Sequence, residues 1–318
     1  MLLGIIATVS VMTIAVTLHA CWRSSPSADA TQMSVSSPTP MASATDGEGN
    51  ATLFSRIDWR QSSEMLLARK LLVDGMMSVH RSIDISSANL KSEFLSDTYH
   101  GIMDEEPWLW YVRGTCSYER DADGTVLSVR PDYISSDIEE IERTREEYEQ
   151  EMTALLSSVS ADMSDLAKVK ALHDGIVSRC SYNKECAGNP EGYEVTLHDN
   201  PYGAYSAMVS GFTVCRGYSL AFKDACTRAG ISCVTVRTRE HEWNKVMVHG
   251  KWYNVDLTFD DTDDSQTHQY ALFMKSDRYL VEYDVSSKKT LHANAFPSGL
   301  PAIDTTYDNP TALLAALM

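Results

Sequence analysis

Residues 240–260 read EHEWNKVMVHGKWYNVDLTFD, a pattern that predicts a β-hairpin. Two strand-like runs flank His249-Gly250, and the glycine supplies the positive φ that a two-residue turn needs. This turn sets Val246 opposite Tyr253. Because side chains alternate between the faces of a strand pair, one face is expected to be an apolar core face. It consists of Val246, Val248, Tyr253, Val255 and Leu257.

The other face of the hairpin carries polar and aromatic side chains. It consists of His241, Trp243, Lys245, Met247, Trp252, Asn254, Asp256 and Thr258. In this register His241 and Asp256 are diagonal neighbours, with backbones roughly 7–8 Å apart and side chains able to meet. A carboxylate beside an imidazole fixes its tautomer and favours its charged form, as in the orienting part of a nucleophilic triad. Taken alone, the hairpin also fits an ordinary cross-strand pair with no catalytic role.

A candidate nucleophile precedes the hairpin. Residues 211–230, GFTVCRGYSLAFKDACTRAG, predict a helix that begins near Cys215 and is closed by Gly230. A thiol in the first turn of a helix lies near unpaired N–H groups and the positive end of the dipole, which favours its thiolate. The backbone N–H of Cys215 can also stabilise an oxyanion. A cysteine is more commonly a small buried apolar residue, so the assignment depends on the hairpin that follows.

Three stretches resemble, in flanking sequence and in order, the core of the transglutaminase-like superfamily, the papain-like thiol fold in circularly rearranged form. They are MSDLAKVKALHDGIVSRCSYN at 163–183, AYSAMVSGFTVCRGYSLAFKDACTRAGISC at 204–233 and HEWNKVMVHGKWYNVDLTFDD at 241–261. The resemblance covers roughly residues 163–280. It implies an α+β fold in which the helix bearing the cysteine packs on an antiparallel sheet, after an N-terminal helical and β extension.

The resemblance also assigns roles. Cys215 matches the nucleophile, His241 the general base and acid, and Asp256 the residue that orients the imidazole. Tyr182 lies where some relatives have a polar aromatic side chain near the oxyanion. The activity implied is acyl transfer or hydrolysis, through a thioester, on peptide or glutamine amide bonds, with no cofactor and no metal. Because some members of the superfamily lose the triad, a non-catalytic cell-surface interaction module stays open.

The first residues predict export. Residues 1–21, MLLGIIATVSVMTIAVTLHAC, form an uncharged apolar run, and the segment ending at Cys21 resembles the lipobox of bacterial lipoproteins. The run is expected to be a signal peptide with lipid attachment at Cys21, or an uncleaved anchor helix. Residues 22–52, rich in Ser, Thr, Pro and Ala, predict a disordered tether. The body of the protein is therefore expected on the extracytoplasmic face of the membrane, with a protein or peptide substrate in the cell envelope.

Net charge and the order of helical and strand patterns limit the possible partners, fold class and domains. The net charge of −17 argues against nucleic acid and against charge-driven docking to an anionic membrane. Helical patterns precede strand patterns, which is typical of an α+β domain. We expect an N-terminal α/β extension at 53–160, the transglutaminase-like core at 161–300 and a C-terminal tail at 301–318.

The cysteines and acidic residues leave alternatives open. Cys180 and Cys186, like Cys226 and Cys233, are close enough in sequence to form disulfides in an oxidising exterior, and buried thiols fit equally well. No Cys/His cluster with zinc spacing occurs. The acidic run at 256–264 lacks the ligand spacing of an EF-hand, so a solvated turn is expected there.

Overall fold

The computed structural model describes residues 10–14, 62–238, 240–261, 270–287 and 291–292. Helices and antiparallel sheets are both present in these residues, which confirms the α+β class. The predicted lipid site at Cys21, the tether at 22–52, the first residues of the predicted extension at 53–61 and the C-terminal tail at 301–318 lie outside the described residues. No helix of the described part combines the length and apolar character that crossing a bilayer requires.

The N-terminal part contains two helices and one antiparallel sheet of order β1-β3-β4-β2. Its elements are β1 (Ser10–Ile14), α1 (Ser63–Met77), β2 (Ile83–Asp84), α2 (Leu95–Glu105), β3 (Val112–Arg120) and β4 (Val126–Tyr133). Strand β1 lies within the apolar run predicted to be a signal peptide or anchor, a prediction that stays untested. Short 3-10 turns at Ser86–Ala88 and Ser92–Phe94 complete this part.

Helices precede the second sheet, as the sequence predicts. The elements are α3 (Ile138–Leu156), α4 (Asp165–Val177), β5 (Ser181–Tyr182), α5 (Lys184–Gly188), β6 (Phe212–Thr213) and α6 (Cys215–Arg228), with a π-helical turn at Ser206–Ser210. The hydroxyl of Ser164 accepts from the N–H of Ala167, so Ser164 caps α4 as predicted. Helix α3 is capped by Asp137, which accepts from Glu140.

The second sheet is antiparallel, in the order β10-β9-β8-β7. It consists of β7 (Cys233–Arg237), β8 (Glu242–Val248), β9 (Lys251–Val255) and β10 (Phe273–Lys275), with α7 (Leu257–Asp260) before β10 and α8 (Asp277–Ser287) after it. The hairpin register is the predicted one, with Val246 opposite Tyr253. His249 and Gly250 both have positive φ, 50° and 74°, as the two-residue turn requires.

Both faces of the hairpin are buried, each under a helix. On the apolar face, Asn244 donates from Nδ2 to the carbonyl of Ser219 in α6 at 3.0 Å. On the other face, Lys245 Nζ lies 3.0 Å from Oδ1 of Asp277 at the start of α8. The polar face is therefore an internal surface, where every charged group needs a partner.

The two parts of the chain share packing. Trp110 of the N-terminal part donates from Nε1 to Thr144 in α3 at 3.1 Å, and Asn200 donates from Nδ2 to the carbonyl of Trp110 at 2.6 Å. The main apolar cluster contains members from both sides of residue 160. The proposed domain boundary there stays a prediction.

Candidate active site

Cys215 is the first residue of α6, as the sequence predicts. Val214 before it is extended and its side chain does not cap the helix, while its carbonyl accepts from the N–H of Gly217 at 3.0 Å. The thiol is buried, and none of the cysteines that the structure describes is in a disulfide. Of the two alternatives left open for the cysteines, the structure has the buried thiols.

The first turn of α6 is held against an irregular segment of backbone. Thr213 donates from Oγ1 to the carbonyl of Pro201 at 2.7 Å, and the N–H of Val214 donates to the same carbonyl at 3.1 Å. A Cβ on Gly217 would lie 1.8 Å from Oγ1 of Thr213 and 2.9 Å from the carbonyl oxygen of Gly203. A glycine is therefore required for α6 to approach this segment so closely.

His241 and Asp256 meet, as the register predicts. Nε2 of His241 lies 2.6 Å from Oδ2 of Asp256, and both side chains are almost fully buried. The backbone of His241 is fixed too, since its N–H donates to Oγ1 of Thr238 at 3.1 Å and its carbonyl accepts from the N–H of Thr238. Trp243 stacks on the imidazole with ring centroids 5.9 Å apart, and Phe259 meets it edge-on. The ring is held in one orientation.

Asp256 has donors for both of its oxygens. Oδ1 accepts from the N–H of Thr258 at 3.1 Å, which makes Asp256 the N-cap of α7. Its own N–H donates to the carbonyl of Leu272 at 3.2 Å. Burial acts to raise the pKa of Asp256, but the charge and hydrogen bonds of two nearby imidazoles outweigh it and hold that pKa well below its ordinary value. The group is a carboxylate at neutral pH.

The second imidazole belongs to His292, which the sequence analysis missed. Its Nε2 lies 2.9 Å from Oδ2 of Asp256, and its Nδ1 lies 2.7 Å from Oδ1 of Asp284 in α8. The backbone N–H of His292 donates to the other carboxylate oxygen of Asp284, Oδ2, at 2.6 Å. His292 is 36 residues from Asp256 and beyond the stretch covered by the resemblance, so no spacing in the sequence indicated it.

The three buried side chains His241, Asp256 and His292 offer ligand atoms within 4.8 Å of one another. Two ligands of one tetrahedral zinc ion, each about 2.0–2.1 Å from it, are roughly 3.3 Å apart. The observed separations of 2.6 and 2.9 Å are shorter and match charge-assisted hydrogen bonds. The arrangement fits hydrogen bonding better than metal ligation.

Tyr182, the oxyanion candidate, lies beside the segment that leads into α6. It pairs with Thr213 in the short parallel sheet of β5 and β6, and the next residue, Asn183, donates from its N–H to the carbonyl of Thr213 at 2.8 Å. The Tyr182 ring is partly buried and lines a shallow depression with the exposed Phe212. Tyr182 is therefore paired with a residue that lies two positions before Cys215 in the chain. Its role near the oxyanion stays a prediction.

Glu242 is the other titratable group next to His241. It is buried, and its Oε1 has no hydrogen-bond partner among the described residues. Burial raises its pKa to about 8, although the charges of Arg216 and Arg237 act in the opposite direction. Glu242 is therefore mostly neutral at pH 7, and it places little negative charge beside the imidazole.

Comparisons with known proteins give remote likenesses. No protein-family model matches the chain, and no curated protein matches it. Solved structures similar to it include a TGase, at 17% identity and a TM-score of 0.33, over 48% of this chain and 46% of the other. Another is a proposed cysteine protease from Cytophaga hutchinsonii, at 16% identity and a TM-score of 0.27, over 35% of this chain and 37% of the other.

The chain spans less than half the length of each of these two structures.

Proposed function

We propose that the protein is a cysteine acyltransferase or hydrolase that acts on glutamine side-chain amides or peptide bonds through Cys215, His241 and Asp256. The observation that carries the proposal is the buried 2.6 Å hydrogen bond between His241 Nε2 and Asp256 Oδ2. It engages one ring nitrogen in orientation, and we assign proton transfer to the other nitrogen, Nδ1. A buried His–carboxylate pair, with a helix that begins with cysteine packed against the strand that follows the histidine, supports thiol catalysis.

Packing supports the approach of the thiol to this pair. Asn244, three residues after His241, donates to the carbonyl of Ser219, one helical turn after Cys215. The helix that begins with Cys215 therefore packs against the strand that follows His241. The N–H groups in the first turn of α6 are the candidate donors to an oxyanion, with Tyr182 as a further candidate.

The reaction proceeds in two steps. His241 takes the thiol proton at Nδ1, and the thiolate attacks the amide carbonyl to give a tetrahedral oxyanion. The imidazolium then protonates the leaving amine, and a thioester with Cys215 forms. In the second step His241 removes a proton from the acceptor, which attacks the thioester and regenerates the thiol. An amine acceptor gives a new amide bond, and water gives hydrolysis or deamidation.

Alkylation of the thiol tests the proposal. The rate constant for iodoacetamide at Cys215 is measured at pH 6 in the folded chain, in the urea-unfolded chain and in His241→Ala. A thiolate stabilised by an imidazolium reacts at least about 10-fold faster than the unfolded thiol at this pH, and His241→Ala removes the difference. Equal, slow rates contradict an enzyme and indicate the non-catalytic interaction module.

The proposed location is the extracytoplasmic face of the cell membrane, with protein or peptide substrates of the envelope. Residues 1–21 and the Ser/Thr/Pro-rich residues 22–52 support it by their composition. The check is fractionation of cells that express the full chain or Cys21→Ala, with a fatty acid label. A labelled membrane protein that becomes unlabelled in the variant supports lipid attachment. An unlabelled membrane protein in both indicates the uncleaved anchor, and a cytosolic protein contradicts export.

A further inference from the structure

His292 contacts the proposed triad through Asp256 and has its own carboxylate partner. Its two ring nitrogens lie 2.9 Å from Asp256 Oδ2 and 2.7 Å from Asp284 Oδ1. The side chains of all three residues are at most 2% exposed. Because water does not reach these groups, the bonds between them are the main interactions that orient each one.

The hydrogen-bond pattern favours a doubly protonated His292 ring. A neutral imidazole has one donor and one acceptor nitrogen, whereas a carboxylate oxygen only accepts. Both nitrogens of His292 face carboxylate oxygens, so both are satisfied only when both carry a proton. The ring is then a cation between two carboxylates, and Asp256 lies between the rings of His292 and His241, whose centroids are 5.2 Å apart.

Apolar rings enclose this chain of polar groups. Trp243 meets the His292 ring at 4.9 Å between centroids, and Phe259 meets it at 5.8 Å. The titratable groups around the two imidazoles come from the hairpin, α7 and α8. Among the described residues they include Asp256, Asp260, Tyr283 and Asp284, with Glu240 and Glu242 adjacent to His241 in the chain.

We infer that His292 is a positioning residue of the proposed site, in which Asp284 holds His292, His292 holds Asp256, and Asp256 orients His241. This inference rests on the proposed function. Without His292, Oδ2 of Asp256 has one donor in place of two, and the carboxylate can rotate away from the plane in which it meets Nε2 of His241. Asp284 and His292 would thus complete a site whose other members, Cys215, His241 and Asp256, all precede them in the chain.

The charge of His292 gives the inference a specific readout. A buried cation close to the site favours deprotonation of neighbouring acids, so its removal raises the pH at which the Cys215 thiolate forms and at which His241 loses its proton. In His292→Gln the amide still donates to Asp256 but carries no charge. We expect the midpoint of the acid limb of iodoacetamide alkylation to move up by about one pH unit. A purely structural role would lower the rate at every pH without moving the midpoint.

Two further variants sharpen the test. Asp284→Asn removes the carboxylate that stabilises the second proton on His292. The midpoint of the acid limb should again move up, but by less than in His292→Gln. The matched control is His173→Gln, since His173 is also fully buried between two carboxylates, at 2.9 Å from Asp174 and 3.3 Å from Asp260. It is bonded to Asp260 and not to Asp256, so its loss should change stability and move the midpoint by clearly less than His292→Gln does. If His292→Gln does not fold, Asp284→Asn carries the same test.

The outcomes separate this inference from the proposed function. Fast alkylation of Cys215 with an unmoved midpoint in both His292→Gln and Asp284→Asn overturns the inference and leaves the function standing. Slow alkylation in the wild type overturns the proposed function. The inference is then tested by NMR titration of the His241 ring nitrogens, whose midpoint should also move to higher pH in His292→Gln. Stoichiometric zinc in the purified wild type, lost in His292→Gln, overturns the inference in favour of a metal site.

Discussion

His241 and Asp256 are fifteen residues apart on the two strands of one hairpin, and their Nε2 and Oδ2 atoms lie 2.6 Å apart in the protein interior. Strand alternation and a two-residue turn are enough to bring them together. The chemistry proposed for the site depends on this contact, because an imidazole without it can rotate or change its tautomer.

Asp256→Asn should reduce the alkylation rate of Cys215 at pH 6 by about 100-fold or more, since an amide stabilises the imidazolium poorly and does not impose one tautomer. The measurement is the pseudo-first-order rate with iodoacetamide, with circular dichroism to show that the variant is folded. A folded variant with the wild-type rate contradicts the role given to Asp256.

The depressed pKa of Asp256 predicts a loss of stability in acid. A carboxyl group whose pKa is lower in the folded chain contributes stability above its ordinary value of 3.8 and loses it as the pH falls below that value. The wild type should therefore lose about 2 kcal/mol more unfolding free energy than Asp256→Asn between pH 5 and pH 2. Urea titrations of both proteins at these pH values measure the difference. Parallel losses contradict the assignment.

Glu242 predicts the opposite trend. Its pKa is raised to about 8 by burial, so it is neutral in the folded chain and ionises on unfolding above its ordinary value of 4.5. Stability should fall as the pH rises from about 5 to about 8. Glu242→Gln removes this cost and should be more stable than the wild type at pH 8, on the order of 3 kcal/mol, and similar to it at pH 4.5. A gap that does not change with pH contradicts the prediction.

Gly217→Ala should damage the site through packing. The added Cβ meets Oγ1 of Thr213 and the carbonyl of Gly203, so the first turn of α6 must move away and carry Cys215 with it. We expect a loss of about 1–3 kcal/mol of stability together with slower alkylation. The control is Gly188→Ala in α5, where an added Cβ has nothing within 4 Å. Equal behaviour of the two variants would argue that α6 tolerates the shift.

The other thiols should be inert in the folded chain. Burial raises the pKa of Cys116 and of Cys180 to about 12. Burial and a hydrogen bond to Cys233 raise the pKa of Cys226 well above its ordinary value. At pH 7 these groups are protonated, so a brief iodoacetamide pulse followed by peptide mapping should label Cys215 far more than any of them. Label spread evenly over the cysteines contradicts the assigned nucleophile.

The sequence predicted what depends on local periodicity. The hairpin register, the turn at His249-Gly250, the start of α6 at Cys215 and the capping of α4 by Ser164 each follow from a few adjacent residues. Ser136 with Glu139 has the sequence pattern of a capping box, but Asp137 makes the capping bond to α3. Neighbouring Ser and Asp residues are equally good caps, and only the path of the chain decides between them.

Long-range contacts were beyond the sequence. Nothing in the pattern of the hairpin indicates that α8 covers its polar face, where the buried Lys245 pairs with the partly exposed Asp277. His292 and Asp284 reach Asp256 only because α8 brings them there. Alternation in a strand defines which side chains share a face, but it does not define what packs on that face.

Asp256 also belongs to the corner where β9 passes into α7, since it caps that helix and donates its own N–H to Leu272. Selection for folding alone would thus preserve an acidic residue at this position in a descendant that had abandoned thiol chemistry. An aspartate retained at position 256 is therefore weak evidence that a homologue is active. Replacement of Cys215 is the better indicator that a homologue has lost thiol chemistry.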